Sequence, residues 1–194
     1  MARVLDPQEL LERATAARRA GRLSEALDLA SQAVALSRAS GQTGGADLPQ
    51  ALTQLAQALR DLRRPAEARL PQEEAVASFR DAGDGLSTAR ALRHLGGILD
   101  DMAAHRDAVP IYVEMMALYQ AAEVAPLEMA NAVRALACNA EGRGDRDEAE
   151  ALWHQTLERY AALDEVFKRD YGLPDNPGVT EARARLARLQ PSPS

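Results

Sequence analysis

The sequence predicts an all-α fold, built as an array of about four helix pairs closed by one further helix. Three observations carry that prediction. An acidic residue followed by alanine recurs as Glu25-Ala26, Glu67-Ala68, Asp107-Ala108 and Glu148-Ala149, with alanine spacings of 42, 40 and 41. A near-constant period in this range marks a helical repeat. Hydrophobic residues make up 46% of the chain, mostly Ala and Leu, while aromatics are 4% and β-branched runs are scarce. Such a composition favours helix over strand. Finally, a large apolar residue is followed by a small one in successive periods, as in Leu55-Ala56, Leu95-Gly96 and Leu136-Ala137. Small residues at a fixed register let neighbouring helices approach closely.

The first helix is announced by "DPQELLERATAARRAG". Asp6 is the N-cap, Pro7 takes the first helical position, Glu9 lies three residues past the cap, and Gly21 ends the helix. Its partner runs over about 24–38, with Ala26, Leu29, Ala30, Ala33 and Leu36 on one face. "SGQTGG" (40–45) is a flexible connector, without the strand or lysine of a phosphate loop. First helices then recur over 47–62, 86–102 and 126–141, and their partners begin near 65, 106 and 146. Short connections make each pair antiparallel.

Pro71 falls deep in its helix and predicts a kink, whereas Pro110 is expected near a first turn, where a lost amide costs little. Trp153, Leu157, Tyr160, Val166 and Phe167 extend the last partner helix towards Asp170. "YGLPDNPG" breaks it, and "VTEARARLARL" reads as a capping helix over 178–189. The domain therefore spans 6–189, with repeats at about 6–45, 46–83, 84–124 and 125–171. Residues 190–194 form a polar tail expected to be disordered.

A net charge of −6 and few aromatics argue against nucleic acid, because phosphate is repelled and bases find little to stack on. No stretch approaches the roughly 20 apolar residues of a membrane span. The start lacks a signal-peptide apolar core, and the single Cys138 excludes an internal disulfide framework, so the expected location is cytoplasmic. His94, His105 and His154 fall on different repeats without metal-ligand spacing and read as exposed polar residues. Neither "HExxH" nor "GxSxG" occurs. No catalytic residue, metal or cofactor is expected.

The array resembles the tetratricopeptide repeat family, helix–turn–helix units stacked into a right-handed superhelix. The matching small positions are Ala14, Ala56, Gly96 and Ala137 in first helices, and Ala26, Ala68, Ala108 and Ala149 in second helices. Met115 and Thr156 depart from a third small position held by Ala33 and Ala75, and the usual first-helix aromatic is replaced by Leu10, Leu52, Leu92 and Val133. The longer period is similar to the 42-residue variant of kinesin light chains and bacterial peptide-sensing regulators. "GLPDNPGVTEARARLA" resembles that variant's linker and helix, which puts Leu186 and Ala187 at the large-small pair.

The resemblance implies a non-enzymatic module for protein binding, with a concave groove lined by the first helices. Register places Thr53, Gln57 and Arg60 there, then Arg90, Arg93 and Gly97, then Asn131, Arg134 and Cys138. Arginine forks suit carboxylates, so the expected ligand is a peptide or protein segment bearing acidic groups, with Gln57 bonding its backbone. The family's standard carboxylate clamp is not reproduced, since Thr15, Gln57, Gly97 and Cys138 hold one recurring lining position. The alternative is a homo-oligomeric scaffold that self-associates through a repeat face or the final helix.

Overall fold

The computed structural model describes residues 6–39 and 47–190, and among these ten helices follow one another with no strand. The first pair is α1 (Pro7–Arg19) and α2 (Leu23–Ala39), and the second is α3 (Asp47–Asp61) and α4 (Pro65–Asp81). The third pair is α5 (Gly85–Asp101) and α6 (His105–Gln120), and the fourth is α7 (Pro126–Arg143) and α8 (Arg146–Ala161). Two shorter helices follow, α9 (Asp164–Tyr171) and α10 (Pro177–Leu189). The connector at 40–45 and the tail beyond Gln190 lie outside the described residues.

Side-chain caps set the starts of α1, α5 and α8, whereas α4, α6, α7 and α9 have none. Asp6 accepts from Glu9 N at 2.7 Å, Asp84 from Ser87 N at 2.9 Å and Asp145 from Glu148 N at 3.4 Å. The turn inside each pair repeats one left-handed residue at 21, 63, 103 and 144. Gly21 and Gly144 adopt it freely, whereas Arg63 and Ala103 hold φ values of 62° and 59°. The repeat geometry thus overrides local preference at two of four turns.

Packing follows the predicted register. Ala14, Ala56 and Ala137 in first helices and Ala26, Ala68, Ala108 and Ala149 in second helices are at most 2% exposed. Gly96 replaces alanine because a Cβ there would collide with the Tyr112 ring. Met115 and Thr156, which break the third small position, are fully buried all the same.

Three expectations need correction. The last partner helix is not continuous, because the chain turns at Ala162 and Leu163 before α9. Leu163 leaves the helical line to pack with Ala130, Tyr160 and Val179 beneath α10. In the cap, Leu186 is buried with Val179 and Ala182 as expected, but Ala187 is exposed. Pro110 lies beyond the first turn of α6. Helix α4 runs on through Pro71 as α6 runs through Pro110. A proline withdraws one amide donor, and a helix of this length keeps its other bonds.

Ion pairs between repeats follow the same period. Arg18 on α1 meets Asp61 on α3 at 2.8 Å, and Arg60 on α3 meets Asp101 on α5. Between second helices, Arg38 meets Glu74 at 2.6 Å and Arg80 meets Glu114 at 2.7 Å.

Candidate functional site

The first helices α1, α3, α5 and α7 touch one another in succession, so they form the inner face of the array. Two cavities open on that face. One, of about 510 Å³, lies between α1, α3 and α5, above Leu11 and Phe79. The other, of about 480 Å³, spans α5, α6, α7 and α10.

The predicted lining is divided between them. Thr53 and Arg90 line the first cavity, with Gln8, Gln50 and Gln54. Arg60, Arg93, Gly97, Asn131, Arg134 and Cys138 line the second. Gln57 stands between the two, accepting from Arg18 and lying 3.3 Å from His94 Nε2. It is engaged within the fold, which differs from its expected role as a free backbone partner. Thr15, set at the recurring lining position, lines the first cavity from α1, but its α1 neighbours Gln8, Glu12 and Arg19 are absent from the predicted lining. Periodicity carries them all the same, because Gln8, Glu12 and Arg19 precede Gln50, Gln54 and Asp61 by the same 42 residues.

The arginines fall into two groups. Arg134 holds Glu181 with both arms of its fork, at 2.6 and 2.8 Å, and that pairing raises its already high pKa further. Arg60 is bonded to Asp101, and Arg185 reaches Glu141 at 2.5 Å while lying over the Trp153 ring. Arg90 and Arg93, by contrast, share one carboxylate. Arg90 Nε is 3.2 Å from Glu128 and Arg93 Nη2 is 4.0 Å from it. The Nε atoms of both are buried without a hydrogen-bond partner. Glu128 also accepts from the Tyr119 hydroxyl at 3.2 Å. Asn131 is tied down, receiving a bond from the Tyr160 hydroxyl at 2.5 Å.

Two histidines differ from the exposed reading, and only His154 of the three is exposed. His94 is half-buried, and burial followed by the charges of Arg93, Arg60 and Arg18 pushes its pKa down to about 3. The neutral ring leaves Nε2 free to accept from the Gln57 amide, a tautomer assigned from the bonding pattern. Because this value lies below the unfolded one, stability is expected to fall as pH drops from about 6.5 towards 3, by up to about 1.4 kcal/mol per pH unit. Urea titrations at pH 6.5 and 5.5 should show that loss in the wild type and a flatter response in His94→Gln. Parallel curves would show that His94 does not carry it.

His105 is half-buried and bonds Asp100 through Nδ1 at 2.9 Å. Burial raises the Cys138 thiol pKa against the smaller opposing pull of Arg134, so the group remains an unreactive thiol at neutral pH. Among the described residues no cluster of His, Cys, Asp or Glu is arranged to hold a metal, and no helix is long and apolar enough to cross a membrane.

The architecture is that of a helical-repeat array with an inward-facing groove. Residues 50–82 match the tetratricopeptide repeat family, while no curated protein sequence matches the chain. A crystal structure of a putative kinesin light chain from Podosopora anserina, with nearly identical TPR-like repeats, superposes with a TM-score of 0.71. That match has 19% identity and covers 96% of this chain and 87% of the other. BtubC (BKLC) from P. vanneervenii gives a TM-score of 0.70 at 20% identity, covering 91% of this chain and 70% of that one. A Rap protein complexed with Competence and Sporulation Factor gives 0.68 at 17%, covering 96% of this chain but 55% of Rap. Tetratricopeptide repeats are thus identified by sequence at 50–82 and by fold across the array, in the right-handed solenoid form seen in kinesin-light-chain repeats.

Proposed function

We propose that the chain is a non-enzymatic interaction module whose inner groove receives a peptide or protein segment, and that Arg90 and Arg93 draw an acidic group of that segment. Tetratricopeptide folds generally mediate protein–protein interaction, and the Rap structure holds a bound factor in a related array. The observation that carries the finer reading is the sharing of Glu128 by two guanidiniums. An incoming carboxylate supplies the second acid, and the fork geometry of arginine suits it. The neighbouring cavity complements this with the amides of Gln8, Gln50 and Gln54, each able to donate to and accept from an extended backbone. The large exposed apolar side chains among the described residues are Leu70, Val113 and Leu173, on three different elements, a small area for a stable dimer.

Peptide-array binding should show wild type favouring acidic segments. Arg90→Glu/Arg93→Glu should lose those ligands by about tenfold or more, in line with truncated charge pairs at interfaces. Arg134→Glu should change ligand choice far less, since its fork already holds Glu181. Equal profiles for wild type and the double variant, both folded by circular dichroism, would remove the proposed acid contact. Raising salt should weaken the same ligands, because an open groove is screened over about 8–10 Å near 0.1 M.

A further inference from the structure

Both ladders of inter-repeat ion pairs stop at the same place. On the inner side the rungs are Arg18–Asp61 and Arg60–Asp101, and on the outer side Arg38–Glu74 and Arg80–Glu114. The repeat register next sets Asp100 against Gly142, and Gln120 against Gln155. Neither combination can make an ion pair, so both ladders lack their rung at the junction between the third and fourth repeats.

Open cavities flank this junction on both faces. The inner charged cavity of about 480 Å³ crosses it, and an outer cavity of about 380 Å³ lies beside Val109, Val113, Met116 and Leu136. Helix α7 packs less closely on α6 than α3 does on α2 or α5 on α4. The connection from Gln120 to Pro126 is also longer than that from Asp81 to Gly85. Across the junction Ala132 joins the apolar core of the first three repeats, Asn139 donates to Asp100 at 2.7 Å and to His105 O at 2.8 Å, and Glu128 faces Arg90 and Arg93.

We infer that this junction is a hinge. Repeats one to three form one body, and the fourth repeat with α9 and α10 forms another. Their relative motion opens and closes the inner charged cavity, because Arg60, Arg93 and Asp100 line it from one body and Asn131, Arg134 and Cys138 from the other. In a repeat array, stability is a sum of nearest-neighbour terms, and the weakest interface opens first. The inner rung cannot be restored, since a Cβ on Gly142 would collide with the His105 ring. The outer rung can, because Gln120 and Gln155 are both exposed. This inference stands on the ion-pair pattern and the looser packing of α7 on α6, and does not depend on what the groove binds.

The test compares the full chain with its Gln120→Arg/Gln155→Glu variant. In a Cys138→Ser background, spin labels at Ala77→Cys on α4 and Glu158→Cys on α8 report the distance between the bodies. The wild type should show a broad or two-population distribution that collapses to one narrow population in the rung-restored variant. Native-state hydrogen exchange of the unlabelled wild type gives a second reading, with α7 and α8 amides exchanging at least about tenfold faster than those of α3 to α5. A narrow distribution in the wild type, or equal protection across the four repeats, overturns the hinge. A broad distribution unchanged by a folded variant overturns the ladder explanation for it.

Discussion

Truncation after Gly172 is expected to lower the unfolding free energy by roughly 4–6 kcal/mol. The segment removed, α10 with its connection, buries Val179, Ala182 and Leu186. It covers Trp153 on one side, and Tyr160 and Leu163 on the other. Burying a single Val or Leu contributes about 1.5–3 kcal/mol, and the newly exposed aromatic area adds to that loss. Polar ties go with it. Asn176 donates to Tyr160 O at 2.7 Å and caps α10 through Gly178 N at 3.0 Å, while Glu181 and Arg185 lose Arg134 and Glu141. A urea titration of the shortened chain should show the lower stability, and light scattering should show association through the uncovered end. An unchanged midpoint with a monomeric product would show that α10 is not a cap.

The first-helix register and every helix pair are legible in the sequence, because caps, periodic alanines and turn residues are local signals. The break at Leu163 is not. Leu157, Tyr160 and Val166 continue an apolar helical spacing, and only the docking of Val179 on Leu163 makes the turn favourable. The candidate site is half legible. Register puts Arg90, Arg93 and Arg134 on one face, but how far each guanidinium is already paired depends on acids far along the chain, Glu128 and Glu181. Glu181 lies 47 residues from Arg134, on a helix outside the repeats, so no repeat argument pairs them. The Arg18–Asp61 and Arg60–Asp101 rungs are available from periodicity alone, since each joins one repeat to the equivalent place in the next. The partial burial of His94 and His105 is hidden for a different reason: three-dimensional packing decides an environment that composition does not encode.

Asp100→Ala should cost about 3–5 kcal/mol, the range for removing one partner of a buried charged network. The Asp100 side chain is 12% exposed, and its two oxygens serve three donors from two other helices. Oδ1 accepts from His105 Nδ1 at 2.9 Å and from Asn139 Nδ2 at 2.7 Å, and Oδ2 accepts from the Tyr112 hydroxyl at 2.8 Å. Burial, together with the Asp100 charge, raises the Tyr112 pKa, so the phenol stays a donor at any ordinary pH. Alanine takes the acceptor from all three donors; Asn139 keeps its bond to His105 O at 2.8 Å, while the Tyr112 hydroxyl and His105 Nδ1 are orphaned and cost their desolvation.

The network makes a sharper claim through a double-mutant cycle. Tyr112→Phe alone removes one bond to a carboxylate and should cost about 1.5–3 kcal/mol. In the Asp100→Ala background the hydroxyl is already orphaned, so the same change should cost nothing or restore stability. The two effects are therefore expected to be strongly non-additive, with a coupling energy above about 1 kcal/mol. Urea titrations of the four proteins measure it. Strictly additive costs would mean that Tyr112 contributes only its ring, packed on Gly96, and that Asp100 holds the fold through His105 and Asn139 alone.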